Sequence, residues 1–139
     1  MDSPLSLPPP SPPPSPPLGC GPRQERPWGW FETLGGGSGY LLKRLCIAAG
    51  RRISRQRHRQ RCEHWVVVAG EGWLECDGRQ LEAQEGRTLF IPVGAVHRAS
   101  AGRTDLVIIE VQRGELLSED DIERLADDFG RGPGAQSAN

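Results

Sequence analysis

Two segments of the chain carry residues that could hold a metal ion. The first reads Gly50, five residues, Gln56, one residue, His58, four residues, Glu63, six residues, Gly70. The second reads Gly86, five residues, Pro92, one residue, Gly94, two residues, His97. Residues two apart on a strand share a face, so Gln56 and His58 can reach one point. Glu63 opens the next strand, and with it inward, Trp65 and Val67 face inward too and form an apolar wall. Pro92 and Gly94 make a turn that returns His97 toward the same end. Two imidazole nitrogens, a carboxylate and an amide oxygen then converge, a suitable set for a divalent cation with positions left open. Zinc heads the candidates, with manganese, cobalt and iron as the others that mixed nitrogen and oxygen ligands suit.

A lone histidine is usually structural. Here two histidines, a glutamate and two sets of glycines sit at matched spacings, which favours the metal. His64, the third histidine, points away from Glu63 on the same strand and is read as structural. The rival reading of this region is a nucleic-acid surface, because residues 51–61 hold six arginines. Against it stand a formal net charge of −1, an acid-rich stretch at 115–128, and ligand-type residues inside the basic run. Arg55, Arg57, Arg59 and Arg61 alternate with Gln56 and His58, so strand geometry lets ligands face in and arginines face out. No nucleic-acid partner is expected.

The elements around these segments read as β. Residues 40–47, 64–72, 73–83, 88–92 and 105–112 are apolar or alternating runs, and Asp77-Gly78 inside 73–83 is a two-residue hairpin signal. Gly35-Gly36-Gly37 is read as a hairpin or flexible turn. Many short strands punctuated by glycine predict an all-β barrel or sandwich. Near the end, Ser118 before Glu119, Asp120 and Asp121 fits a capping box, and Ile122, Leu125 and Phe129 recur at helical spacing, which predicts one C-terminal helix.

Length allows one domain with a core. Residues 1–22 hold ten of the thirteen prolines, so 1–25 is expected to be a disordered proline-rich tail and 132–139 a second tail, flanking a domain at 26–131. No apolar run suits a membrane span and no secretion signal is evident. The four cysteines lack paired spacing, so free thiols and a cytoplasmic setting are expected. Exposed strand edges make a homodimer an expectation as well.

The two glycine-bounded segments resemble the paired motifs of the cupin superfamily, a small jelly-roll-type β-barrel. Gln56 stands where the first histidine is usual. That glutamine, followed by His58, Arg61 and Glu63-His64-Trp65, is similar to type II phosphomannose isomerases. Further matches are Arg26-Pro27-Trp28-Gly29, Lys43-Arg44, Glu110-Val111-Gln112, Gly114, Glu119-Asp120-Asp121-Ile122 and Gly130-Arg131. In that family the domain is often the C-terminal part of a bifunctional mannose-1-phosphate guanylyltransferase and mannose-6-phosphate isomerase. The nucleotide-binding part has no counterpart here, so a stand-alone isomerase module is expected. Ala101 replaces a usual asparagine, and Arg55 and Gln60 depart from the family around the ligands.

The resemblance implies a metal-dependent isomerase interconverting mannose 6-phosphate and fructose 6-phosphate, in service of GDP-mannose and polysaccharide synthesis. The alternative is a non-catalytic cupin that binds a sugar phosphate or sugar nucleotide beside a separate guanylyltransferase. Gln56, His58, Glu63 and His97 would hold the metal. Glu110 would be the base, or would instead be satisfied by a neighbouring arginine. Lys43, the only lysine, and Arg113 would assist, with Arg61 and Arg131 binding substrate. Arg113 and Arg131 both qualify for the phosphate, since a guanidinium suits a phosphate's planar, bidentate contacts.

Overall fold

A computed structural model describes residues 21–132. The proline-rich segment 1–20 and residues 133–139 lie outside the described residues. The elements are all strands: β1 (Gln24–Arg26), β2 (Gly29–Gly37), β3 (Tyr40–Ile47), β4 (Arg55–Arg57), β5 (Cys62–Ala69), β6 (Gly72–Cys76), β7 (Arg79–Ala83), β8 (Thr88–Ile91), β9 (His97–Ala101), β10 (Leu106–Arg113) and β11 (Glu123–Ala126). They form two antiparallel sheets, ordered β1-β2-β3-β10-β5-β8 and β11-β4-β9-β6-β7. β1 takes in Gln24 and Glu25, residues read above with the tail.

Local chemistry accounts for the turns. Asp77 and Gly78 both have positive φ, 49° and 82°, as a two-residue β6–β7 hairpin requires. Gly35-Gly36-Gly37 is not a turn. It continues β2 past a register shift between Thr33 and Gly35, and the hairpin to β3 closes one step later at Ser38-Gly39.

Alternation along three neighbouring strands sets up the interior. β3 turns Lys43, Leu45 and Ile47 inward, β5 turns Glu63, Trp65 and Val67, and β10 turns Leu106, Ile108, Glu110 and Gln112. Register sorts them into rows. Leu106 lies opposite Ile47, and Ile108 opposite Leu45 and Val67. The next rows are polar: Glu110 opposite Lys43 and Trp65, then Gln112 opposite Glu63. One end of the interior is therefore dry, and the other carries buried charge.

The expected C-terminal helix does not form, and no helix occurs among the described residues. Ser118 Oγ does accept from Asp120 N–H at 3.1 Å, but the turn ends there. The chain then enters β11, which pairs with β4. The physical reason is competition. β4 offers an open sheet edge and arginines, and Glu123 meets Arg57 at 3.0 Å. Asp121 gives its carboxylate to the N–H groups of Arg59 and Gln60, at 2.9 and 2.8 Å, instead of to its own turn. The helical spacing of apolar residues was outweighed by these long-range partners.

Candidate functional site

His58, Glu63 and His97 each offer a ligand atom, and the three atoms lie within 4.8 Å of one another. All three side chains are buried. Glu63 comes from the start of β5, His97 from the start of β9, and His58 from the turn after β4. Gln56 lies directly across from His97 in the β4–β9 ladder. Its amide nitrogen donates to Ser54 O and Oγ at 3.1 and 3.2 Å, which leaves the carbonyl oxygen as the end available to a cation.

Second partners fix both imidazoles. A carbonyl only accepts, so Nδ1–H of His58 donates to Asp121 O at 2.7 Å and Nδ1–H of His97 donates to Ala95 O at 2.9 Å. Each ring therefore presents Nε2 to Glu63, at 3.1 Å from Oε2 for His58 and 3.7 Å from Oε1 for His97. Burial holds the His97 ring below its ordinary pKa, with Glu63 opposing, so at neutral pH its Nε2 carries a lone pair. A lone pair facing a carboxylate is repulsive unless a cation or proton lies between them. The residues fit a divalent metal on this ground.

Burial would push the Glu63 carboxyl up. A hydrogen bond from His58 and the charge of Arg61 outweigh it and hold the group well below the usual carboxylate range. Arg61 is buried and does more than neutralise. It donates from Nε to Glu63 Oε2 at 2.9 Å, from NH1 to Ser118 O at 3.0 Å, and its NH2 lies 3.3 Å from His58 Nε2.

Beside this cluster lies a cavity. Gln56, Arg61, Glu63, His97, Glu110, Lys43 and Arg131 all line it, whereas His58 reaches Glu63 from behind the wall. Glu110 accepts from Trp65 Nε1–H and from Gln112 Nε2–H, both at 2.9 Å. No arginine bonds it, which corrects that expectation among the described residues. Burial, aided by the charge of Glu63, pushes its carboxyl up to about 7. Burial lowers the Lys43 ammonium to about 8, against the pull of Glu110. Arg131 is anchored to Asp127 through Nε and NH2 at 3.0 and 2.9 Å. Arg113 is not brought to the cavity: it is exposed, one position past the inward-facing Gln112. Strand parity carried that signal.

Most of the basic run is ion-paired. Arg52 meets Asp128, Arg55 meets Glu75, and Arg57 and Arg59 meet Glu123. Arg61 leaves the outward set and turns inward. His64 faces out as expected and packs on Phe90, ring centroids 4.7 Å apart. Sequence reasoning assigned no role to Arg26, Trp28, Glu119, Ile122 or Arg124, which also line the cavity. Four of these fall in the matching stretches at 26–29 and 119–122, the signal that could have found them.

A family model described as "Mannose-6-phosphate isomerase C-terminal" matches residues 22–127. The alginate biosynthesis protein AlgA of Pseudomonas aeruginosa is 43% identical over 107 residues, covering 76% of this chain and 22% of that protein. The mannose-1-phosphate guanylyltransferase of Escherichia coli is 41% identical over 107 residues, with the same coverage. The chain thus spans less than a quarter of the length of these relatives. Among solved structures, an RmlC-like cupin from Shewanella frigidimarina superposes with a TM-score of 0.63 at 19% identity, covering 71% of this chain and 86% of that one. KdgF from a Halomonas species gives 0.63 at 16%, covering 72% and 92%. These structures share the fold, two antiparallel sheets closed around one interior. On its own sequence the chain belongs to the mannose-6-phosphate isomerase C-terminal family, and it has the cupin fold.

Proposed function

We propose that the chain is a metal-dependent aldose–ketose isomerase acting on mannose 6-phosphate and fructose 6-phosphate. The observation that carries this reading is Glu110: a buried carboxyl raised to about 7, lining the same cavity as Glu63, His97 and a set of cations. A general base works best with a pKa near the operating pH. In the proposed reaction Glu110 takes the proton from C2 of the open-chain aldose and returns it to C1, while the O2 hydroxyl proton passes to O1, through an enediol. Gln56, His58, Glu63 and His97 would hold the metal, which when bound would polarise the carbonyl. Arg61 keeps Glu63 ionised, and Lys43 places positive charge beside the base. Trp28, Phe31 and Trp65 supply the apolar walls that limit water. The names of the relatives concern alginate biosynthesis and mannose-1-phosphate guanylyl transfer, so the proposed product line is GDP-mannose and polysaccharide.

The test is a coupled isomerase assay on the full chain with metal analysis of the same sample. Turnover of mannose 6-phosphate that disappears with a chelator and returns with a divalent metal supports the reading. Sugar-phosphate binding without turnover at any metal replaces it with a binding module.

A further inference from the structure

The outer face of the six-stranded sheet is apolar where solvent-facing strand positions are ordinarily polar. Register places Gly35, Leu42, Val111, His64 and Phe90 in one row across β2, β3, β10, β5 and β8. Ile109 and Val66 lie opposite each other in the next row. No Asp, Glu, Lys or Arg stands among them, and Val66 and Phe90 are 39% and 50% exposed. Apolar faces of this breadth mark contact surfaces.

The chain carries a segment of matching chemistry. Residues 1–20 hold nine prolines and one charged side chain, Asp2. Segments kept in water by their composition are instead rich in charge. In a polyproline helix every third residue shares an edge. Pro4, Leu7, Pro10, Pro13 and Pro16 then form an edge without serine, whereas Ser3, Ser6 and Ser15 share another with Pro9 and Pro12. Gly21 N–H donates to Thr33 O at 3.4 Å, so the chain joins the described fold one rung from Gly35, where the apolar row begins. Proline lacks an N–H and cannot prolong the β1–β2 ladder. Gly35 presents no side chain, so a second backbone can cross β2 closely at that point.

We propose that residues 8–17 lie as a polyproline helix across this row, with Pro16 over Gly35, Pro13 over Val111 and Pro10 on the Phe90 ring. The five strands from β2 to β8 span about 19 Å at about 4.8 Å per spacing. Six residues from Pro16 to Pro10 cover the same about 19 Å at about 3.1 Å each. Aromatic rings are the surface on which proline-rich helices dock, and Phe90, packed on His64, stands at the far end of the row. The tether makes the contact intramolecular, so modest packing holds it.

The experiment is backbone ¹⁵N relaxation of the full chain, read at the Ser11 and Ser15 amides, with light scattering on the same samples. Order parameters near about 0.8 are expected in the wild type, the value of fixed backbone. Pro10→Glu with Pro13→Glu puts charge on the docking edge and should drop them below about 0.6. Phe90→Ser removes an exposed ring, leaves the core intact and should do the same. Pro9→Glu with Pro12→Glu costs the same two prolines on the serine edge and should leave the values high. Low order in a monomeric wild type leaves the face to a separate partner and overturns the docking. Low order in a dimer gives the face to a second copy and overturns it too. Equal loss in both double variants overturns the assigned edge.

Discussion

Trp65 Nε1–H stands between two buried carboxylates, 3.1 Å from Glu63 Oε1 and 2.9 Å from Glu110 Oε1. One donor shared by two acceptors ties the metal cluster to the candidate base. Trp65→Phe keeps the apolar wall and deletes the donor. A carboxylate that loses a hydrogen bond to its charged form rises in pKa. The acid limb of the kcat profile should then move up by about one pH unit, with turnover near neutrality down by about tenfold. An unmoved limb would show that the indole does not tune Glu110.

Glu110→Gln should lower kcat by about two to four orders of magnitude, the scale of a lost general base. The same substitution has a stability signature. The folded pKa of about 7 lies above the ordinary value of 4.5, so the folded state holds the extra proton between those two values. Its contribution is therefore favourable below about 4.5 and is lost as pH rises through 7, by up to about 3 kcal/mol. Glutamine has nothing to lose. In denaturant titrations of the chelated chain, the variant should gain on the wild type between about pH 4.5 and 7 and hold that gain above it. A constant difference would falsify the raised pKa.

His97→Ala and His58→Ala each remove one nitrogen ligand from a three-residue cluster. Bound zinc per chain, measured after gel filtration, should fall from about one to less than a tenth. A metal that binds only the folded state stabilises it by mass action, so the wild type should melt several degrees lower after chelation and the variants should not respond. Full zinc retention in both variants would place the metal elsewhere.

Asp121 supports the ligands at one remove. Its carbonyl fixes His58, and its carboxylate caps the N–H groups of Arg59 and Gln60. Asp121→Ala leaves the carbonyl but frees the turn that carries His58. Loss of about 1–3 kcal/mol in stability is expected from two uncapped amides, together with about a 10- to 100-fold loss in zinc affinity. Wild-type affinity at reduced stability would make Asp121 purely structural.

Much of this was legible because strand chemistry is local. Residues 40–47 gave β3 with its bounds, Asp77-Gly78 gave its hairpin, and strand alternation tied Trp65 and Val67 to the face taken by Glu63. The convergence of His58, Glu63 and His97 was legible for the same reason: two spacings and one returning turn. The C-terminal strand was not. Its cap and its apolar period favour a helix locally, and the edge of β4 that overrides them lies 66 residues away along the chain between Arg57 and Glu123. The cavity lining was hidden likewise, because Arg26, Glu119 and Arg124 come to one cavity only after β1 and β11 have docked. Arg113 was a different kind of miss, since the alternation through Glu110 and Gln112 already pointed it outward.

Gly114 opens the path from β10 to β11, and a Cβ there would come within 2.2 Å of the Gln60 carbonyl oxygen. From that crossing onward the chain supplies the carbonyls of Ser118 and Asp121 to Arg61 and His58, and the carboxylate of Glu119 to Lys43. Among the described residues, the barrel's hydrophobic interior is built from residues up to Ile108, with only Phe129 packed against it from later in the chain. Order of assembly follows from this division. The core can condense before the last segment arrives, and His58 is oriented only when it does. In a chain made from its N-terminus, the setting of His58 and Arg61 comes late, after the core that surrounds them.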